Sequence, residues 1–516
     1  MKRRSALVAP AALAAAALAL TACAGGDSGA TTDTIRTTID IPATFDPTLT
    51  ASLPDNILAR TSYDTLLRKD TGGLVGGLAT EWTTTPEQGV FTIRDGATCA
   101  DGTPITPTVV KDSLEYLARP GTGSPVPLQV FGPAGAPTIT ADDEAGTVTI
   151  DLASPWPFLA DGLTISTTGI ICPAGLADPE GLAAGTVTGS ESGPYVLESF
   201  EPGVRYAYTL RDDYDAWPAW TTPVEGTPAK NLEYVVSPES TATANLVLSD
   251  QLDIAKIQAQ TIERFDGMEG YDVSVNRFSD FYLIFNERDS SVFADEALRQ
   301  AAVRAIDREM FEQVTSLGTG EISTTMVSSE TQCAPSSNPS IPSYDPEAAA
   351  AVLDGVKIRL IGPTIAGPNG AGNEYLAEAL RAAGAEVELT NTDVGTWIST
   401  VFTEPGAWDV TMFADLNYLG SLVSPLSSFS GPEILEGGGN VGGTNNPETD
   451  AALGEALVAT DDASQCAALN AAADALFVRA DAFPIINDAF IYVQRPGFTV
   501  QMLGGAVDDP IFRIAE

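Results

Sequence analysis

The stretch from Leu74 to Leu117, LVGGLATEWTTTPEQGVFTIRDGATCADGTPITPTVVKDSLEYL, most constrains the fold of this chain. Phe91 and Ile93 alternate with polar residues, as a half-buried strand does. Pro86 to Gly89 supply a turn before that strand and Asp95-Gly96 one after it. Asp101-Gly102-Thr103-Pro104 reads as a second tight turn. Thr106 stands at a helix N-cap, with Pro107 at the first helical position. Val110, Leu114 and Leu117 then follow at helical spacing. Strand, turn and capped helix in one short run predict a mixed α/β chain.

The 516 residues are enough for two or three domains. At 44% hydrophobic and 18% charged, the chain is globular in composition. Lys and Arg number 26 against 69 Asp and Glu, a formal charge of −43. No nucleic acid partner is expected, because that binding needs a basic footprint. Attraction to anionic lipid headgroups is disfavoured on the same ground. The acidity serves solubility or favours cationic ligands.

The chain contains no histidine. Serine and cysteine triads with a histidine base are therefore excluded, as are metal sites built on imidazole. No G-x-x-x-x-G-K-[ST] and no S-x-x-K occurs. Neither cofactor nor metal is expected. Catalysis by carboxylates alone stays open, given 69 acidic residues, so a carboxylate-dependent hydrolase is one alternative.

Lys2, Arg3 and Arg4 precede an apolar, Ala-rich segment, Ala6 to Leu20, too short and weakly hydrophobic for a comfortable membrane span. It ends in Leu20-Thr21-Ala22-Cys23, which resembles the bacterial lipoprotein box. That resemblance implies cleavage before Cys23 and acylation of its thiol; an ordinary secretory signal is the alternative. Two or three acyl chains anchor a protein stably. Residues 23–33 are then a flexible tether rich in Gly, Ser, Thr and Ala. The expected location is the outer face of the cytoplasmic membrane or the periplasmic space.

Gly77-Leu78-Ala79, Trp82, Phe91 to Gly96, Asp101 to Thr106 and Val110 to Leu114 together resemble family 5 of the bacterial extracellular solute-binding proteins. This is the dipeptide, oligopeptide and nickel-binding group of ABC importers. Further matches are Asp151 to Leu159, Gly193-Pro194-Tyr195, Arg211 to Tyr214, Phe281 to Asn286, Leu298 to Arg308 and Tyr344 to Ala348. The resemblance implies a two-lobed periplasmic-binding-protein-like α/β fold with a hinged cleft and an extra subdomain in the first lobe. The expected division is 1–22 signal, 23–33 tether, 34–72 first lobe, 73–188 extra subdomain, 189–276 first lobe, 277–484 second lobe and 485–516 return to the first lobe. Arg299 and Asp307 are structural in the family. Leu298 to Arg308 reads as one helix, and Asp450 to Leu476 as helical.

The resemblance also implies a function: a lipid-anchored, monomeric protein that captures a peptide between its lobes and hands it to the permease and ATPase subunits of an importer. An oligosaccharide or other small solute is the alternative within the family, six tryptophans being available to stack on sugar rings. Nickel is disfavoured without histidine. In peptide-binding members an aspartate pairs with the peptide α-ammonium, and Asp415 falls on that position. Tyr418-Leu419-Gly420 after it departs from the family's Asp-Pro continuation. The expected ligand-binding set is Asp415, Leu416, Asn417, Trp397, Asn440, Asn445, Leu53 and Tyr282. Four cysteines remain beyond Cys23 and allow three connectivities. Cys99–Cys172 and Cys333–Cys466 are expected, because each pair then stays within one expected domain.

Overall fold

The computed structural model describes residues 33–121, 126–237, 239–459 and 461–515. The expected signal, Cys23 and most of the tether lie outside the described residues. Among the described residues no helix is long and apolar enough to cross a membrane.

Three principal sheets organise the chain. The first lobe carries a four-stranded sheet in the order Thr34–Ile39, Asn231–Val236, Arg205–Leu210, Tyr195–Glu201. Its first pair is parallel and the others antiparallel. Ile35, Tyr208 and Tyr234 bury one face of it against the helix Leu53–Ser62 and the C-terminal segment.

The extra subdomain is the opening stretch of the sequence analysis made solid. Ala79–Thr84, Gln88–Ile93, Thr147–Asp151 and Thr138–Asp142 form an antiparallel four-stranded sheet. Thr106 caps the helix Pro107–Leu117 by accepting from the Val109 amide. Val110, Leu114 and Leu117 are all buried against Phe91, Val148 and Ile150. Gly96 and Gly102 take φ of +80° and +85°, which the two turns require. The Cys99–Cys172 disulfide closes this subdomain.

The second lobe is built on a seven-stranded sheet. Its order is Ile254–Ile257, Ala482–Gln494, Asp272–Phe285, Val410–Asp415, Lys357–Pro363, Glu386–Thr392, with Glu321–Ile322 added to Ala482–Gln494. Lys357–Pro363, the helix Ala371–Ala382 and the parallel strand Glu386–Thr392 form a βαβ unit. The Cys333–Cys466 disulfide ties a loop to the helix Asp462–Val478. Both pairings match the expectation.

Two long strands join the lobes. Asp272–Phe285 and Ala482–Gln494 run antiparallel over most of their length. At one end Ile254–Ile257 pairs with residues 491–494, beside the first lobe. There Asp253 accepts from Arg36, on the first-lobe edge strand, and from Arg495. At the other end Asp280–Phe285 pairs with Val410–Asp415. The expected boundaries at 277 and 484 thus fall inside continuous strands.

The segment read as one helix over 298–308 is two. Glu296–Arg304 stops, and Asp307 caps a new helix, Arg308–Thr315, by accepting from the Glu309 and Met310 amides. An Asp side chain that bonds backbone amides favours a cap over a helix interior. The stretch 450–476 likewise holds two helices, Pro447–Leu457 and Asp462–Val478, the second capped by Asp461.

Candidate functional site

The site forms where the Val410–Asp415 strand meets Asp280–Phe285. Their register sets Asp280 opposite Asp415 and Tyr282 opposite Phe413. Cross-strand partners share a face of the sheet, so the two carboxylates and two rings lie together. Tyr282 stacks on Phe413 at 5.5 Å, and Phe429 lies 6.1 Å from Tyr282.

Asp415 ends the strand and starts a tight turn. Its carboxylate accepts from the Asn417 amide at 2.7 Å and from the Tyr282 hydroxyl at 3.4 Å. Asn417 adopts φ +42° and accepts from the Ser421 amide on its side chain, which fixes the turn. The turn reaches the first lobe. Asn56 donates to the Tyr418 hydroxyl at 3.2 Å, and the Lys69 ammonium donates to the Leu419 carbonyl at 2.6 Å. Leu416 and Tyr418 pack on the first-lobe apolar cluster, beside Leu53. The lobes are closed on each other along this seam.

Asp280 is the deeper of the two acids, 2% exposed. Its one hydrogen-bond partner given by the structure is the Asn487 side-chain amide. Burial drives its carboxyl well above the usual range, and the neighbouring Asp415 adds to the effect. Asp415 is half-buried, yet burial is still the main force raising its carboxyl; the Asn417 amide and Tyr282 oppose it. The Tyr282 hydroxyl is raised by burial and then by both acids. Neither acid makes an ion pair among the described residues. Two carboxylates desolvated side by side without a cation are unfavourable, and a donor or cation arriving between them would relieve both. Among the described residues no group of three potential metal ligands occurs.

The structure brings Asp415, Leu416, Asn417, Tyr282 and Leu53 of the expected set to this seam. It does not bring the others. Trp397 is buried behind Phe413, its indole N–H donating to the Thr411 hydroxyl at 2.8 Å. Asn440 is 2% exposed, and its amide holds its own loop through the Gly431 and Thr444 carbonyls and the Thr444 amide. Asn445 is exposed and accepts from Arg479 through its backbone. Sequence reasoning missed Asp280. Its signal was the acid one residue before an apolar strand, legible only once the register with Asp415 is known.

Two lobes, joined by crossing strands and closed over a seam that carries unpaired acids, define a solute-binding protein of the periplasmic type. Residues 73–432 match the middle region of the bacterial extracellular solute-binding proteins, family 5, and the chain belongs to that family. The probable D,D-dipeptide-binding periplasmic protein DdpA of Escherichia coli (strain K12) is 34% identical over 175 residues, 31% of this chain and 32% of DdpA. The periplasmic murein peptide-binding protein MppA of the same strain is 26% identical over 306 residues, 56% of this chain and 55% of MppA. The matched segments thus span about a third and about half of these relatives. A crystal structure of a substrate binding protein from Microbacterium hydrocarbonoxydans complexed with 4-hydroxybenzoate hydrazide superposes with a TM-score of 0.87 at 48% identity, covering 94% of this chain and 100% of that one.

Proposed function

We propose that this protein is a lipid-anchored, extracytoplasmic receptor that traps a small, nitrogen-headed solute between its lobes and delivers it to an ABC-importer permease. The observation that carries the reading is the Asp280–Asp415 pair in the seam, which makes no ion pair among the described residues. An ammonium or hydrazide nitrogen donates N–H groups to Asp415, with Asp280 behind it acting through space, and its bonds are strongest once closure excludes water. Ligand can hold the lobes shut only through contacts made better in the closed state.

Two ligand classes meet this chemistry. A short peptide presents an α-ammonium, and DdpA and MppA are described as peptide-binding proteins. An aromatic hydrazide presents a terminal N–N group, and the Microbacterium protein was crystallised with one. The turn 416–420 packs directly on the first lobe beside Asp415, which favours a short ligand over a long one. The sugar reading loses its stacking platform. Trp156, Trp397 and Trp408 are buried in cores, Trp82 packs on the extra subdomain, and Trp217 and Trp220 line a first-lobe cavity whose walls include neither Tyr282 nor residues 415–418.

Native mass spectrometry of the gently purified domain beginning after Cys23, followed by calorimetry with dipeptides, tripeptides and 4-hydroxybenzoate hydrazide, tests the reading. Saturable 1:1 binding of one class, without turnover, is expected. Product formation that falls on substituting Asp280 or Asp415 would move the protein to the hydrolases.

A further inference from the structure

The first lobe encloses a cavity of about 80 Å³ that the interlobe seam does not use. Its walls come from the helix Leu53–Ser62, the first-lobe strands Thr34–Ile39 and Asn231–Val236 with Tyr195 at the start of a third, residues 214–220 and the C-terminal residues 508–513. The tryptophans at 217 and 220 are half-buried and stand at its edge.

Charge in this cavity is unevenly used. Its carboxylates are occupied: Asp508 accepts from Arg60, Asp509 from Arg68, and Asp64 from the Tyr214 hydroxyl. Its donors are not all occupied. Arg60 is 7% exposed, and its Nε is buried with no partner. Arg513 makes no ion pair among the described residues; its one hydrogen bond given by the structure runs to the adjacent Phe512 carbonyl. Its guanidinium lies 5.2 Å from the Trp217 ring centroid. A buried guanidinium N–H without an acceptor is costly, and a planar carboxylate fits the guanidinium fork. The aromatic walls suit a short apolar tail.

We infer that this cavity is a second binding site, separate from the seam, for a short-chain carboxylate held by Arg513 and Arg60 over Trp217. The reading is independent of the ligand proposed for Asp280 and Asp415.

The test uses the full domain after Cys23 at constant ionic strength, titrated with sodium propionate against sodium chloride and sodium phosphate. Tryptophan fluorescence and thermal shift are both recorded. Propionate is expected to saturate both signals, with Arg513→Gln binding it at least roughly tenfold more weakly. Arg513→Lys keeps the charge but loses the fork, and is expected to bind several-fold more weakly than the native protein. Asp415→Asn, which alters the seam, is expected to bind propionate as the native protein does. A response that chloride or phosphate matches, or one that persists undiminished in folded Arg513→Lys, overturns the proposal. Loss in Asp415→Asn would place the response in the seam and overturn it equally.

Discussion

Asp280 and Glu287 lie seven residues apart on one stretch of chain, each facing a second acid from elsewhere, Asp415 and Asp481, and only the second of these pairs is neutralised. Glu287 and Asp481 sit in the second lobe around Arg299, which is 1% exposed and lies 2.6 Å from Asp481 and 3.3 Å from Glu287. Asn446 and Thr444 satisfy their remaining oxygens. Asp280 and Asp415 have an amide, a hydroxyl and a backbone N–H between them, and no cation. The first pair is architecture: it locks the strand Asp272–Phe285 to the helix Glu296–Arg304 and to the end of Asp462–Val478. The second pair stands at the lobe seam without an ion-pair partner among the described residues. A fold holds such a pair where a ligand supplies the missing charge.

The sharpest way to break this comparison is to remove the cation from the neutralised pair. Arg299→Ala removes the fully buried cation and leaves only the more exposed Arg479, 3.5 Å from Asp481 and 3.8 Å from Glu287; it is expected to cost about 3 kcal/mol of stability. Urea unfolding measures it. A loss under about 1 kcal/mol would mean that the two pairs are not different in kind. The converse change belongs to the seam. Asp415→Asn is expected to leave the fold intact and to weaken a nitrogen-headed ligand by about 2–5 kcal/mol, read by calorimetry. Unchanged affinity would remove Asp415 from the ligand's surroundings.

Asp280→Asn sharpens the comparison further. Asp280 lies behind Asp415 and touches Asn487, so it acts on the ligand through space. At roughly 8 Å in a medium of effective dielectric ~20, that amounts to about 1–2 kcal/mol. An effect equal to that of Asp415→Asn would mean that Asp280 contacts the ligand directly.

How much of this was legible in the sequence depends on range. The subdomain around Phe91 and the helix Pro107–Leu117 was readable because turn, cap and periodicity all lie within one stretch. Asp415 was readable through a resemblance, and the structure sets it at the lobe seam. Asp280 was not, because its meaning depends on pairing with a residue far along the chain. The two long strands were only partly seen. Bulges near Phe278 and between Phe281 and Tyr282 break the period-2 pattern that would have extended them. Trp397 belonged to the expected ligand-binding set. Its indole N–H is instead consumed by Thr411 in the core.

The smallest expected effect is the dependence of stability on pH, measured without any ligand. A carboxyl raised in the folded state favours its protonated form there. Stability from such a group is greatest near the unfolded value, about 4, and falls as pH rises to the folded value. Asp280 and Asp415 are both raised, so the empty protein is expected to lose stability as pH rises above about 4. Asp64, pushed up to about 6 by burial, and Glu287, pushed up to about 7 by burial and Asp481, act in the same direction. Asp409 and Asp509 are lowered, by Arg359 and by Arg68; their contribution is lost only as pH falls below about 4, outside this window. The comparison therefore rests on a difference between variants. Asp280→Asn removes one raised group and is expected to shrink the gap in Tm between pH 5 and pH 8. Binding runs the opposite way, because a cationic ligand needs Asp415 ionised and its affinity should climb with pH over the same range. A Tm gap that Asp280→Asn leaves unchanged would show that the seam acids are not held apart from their charge, and the contrast with Arg299 would fall.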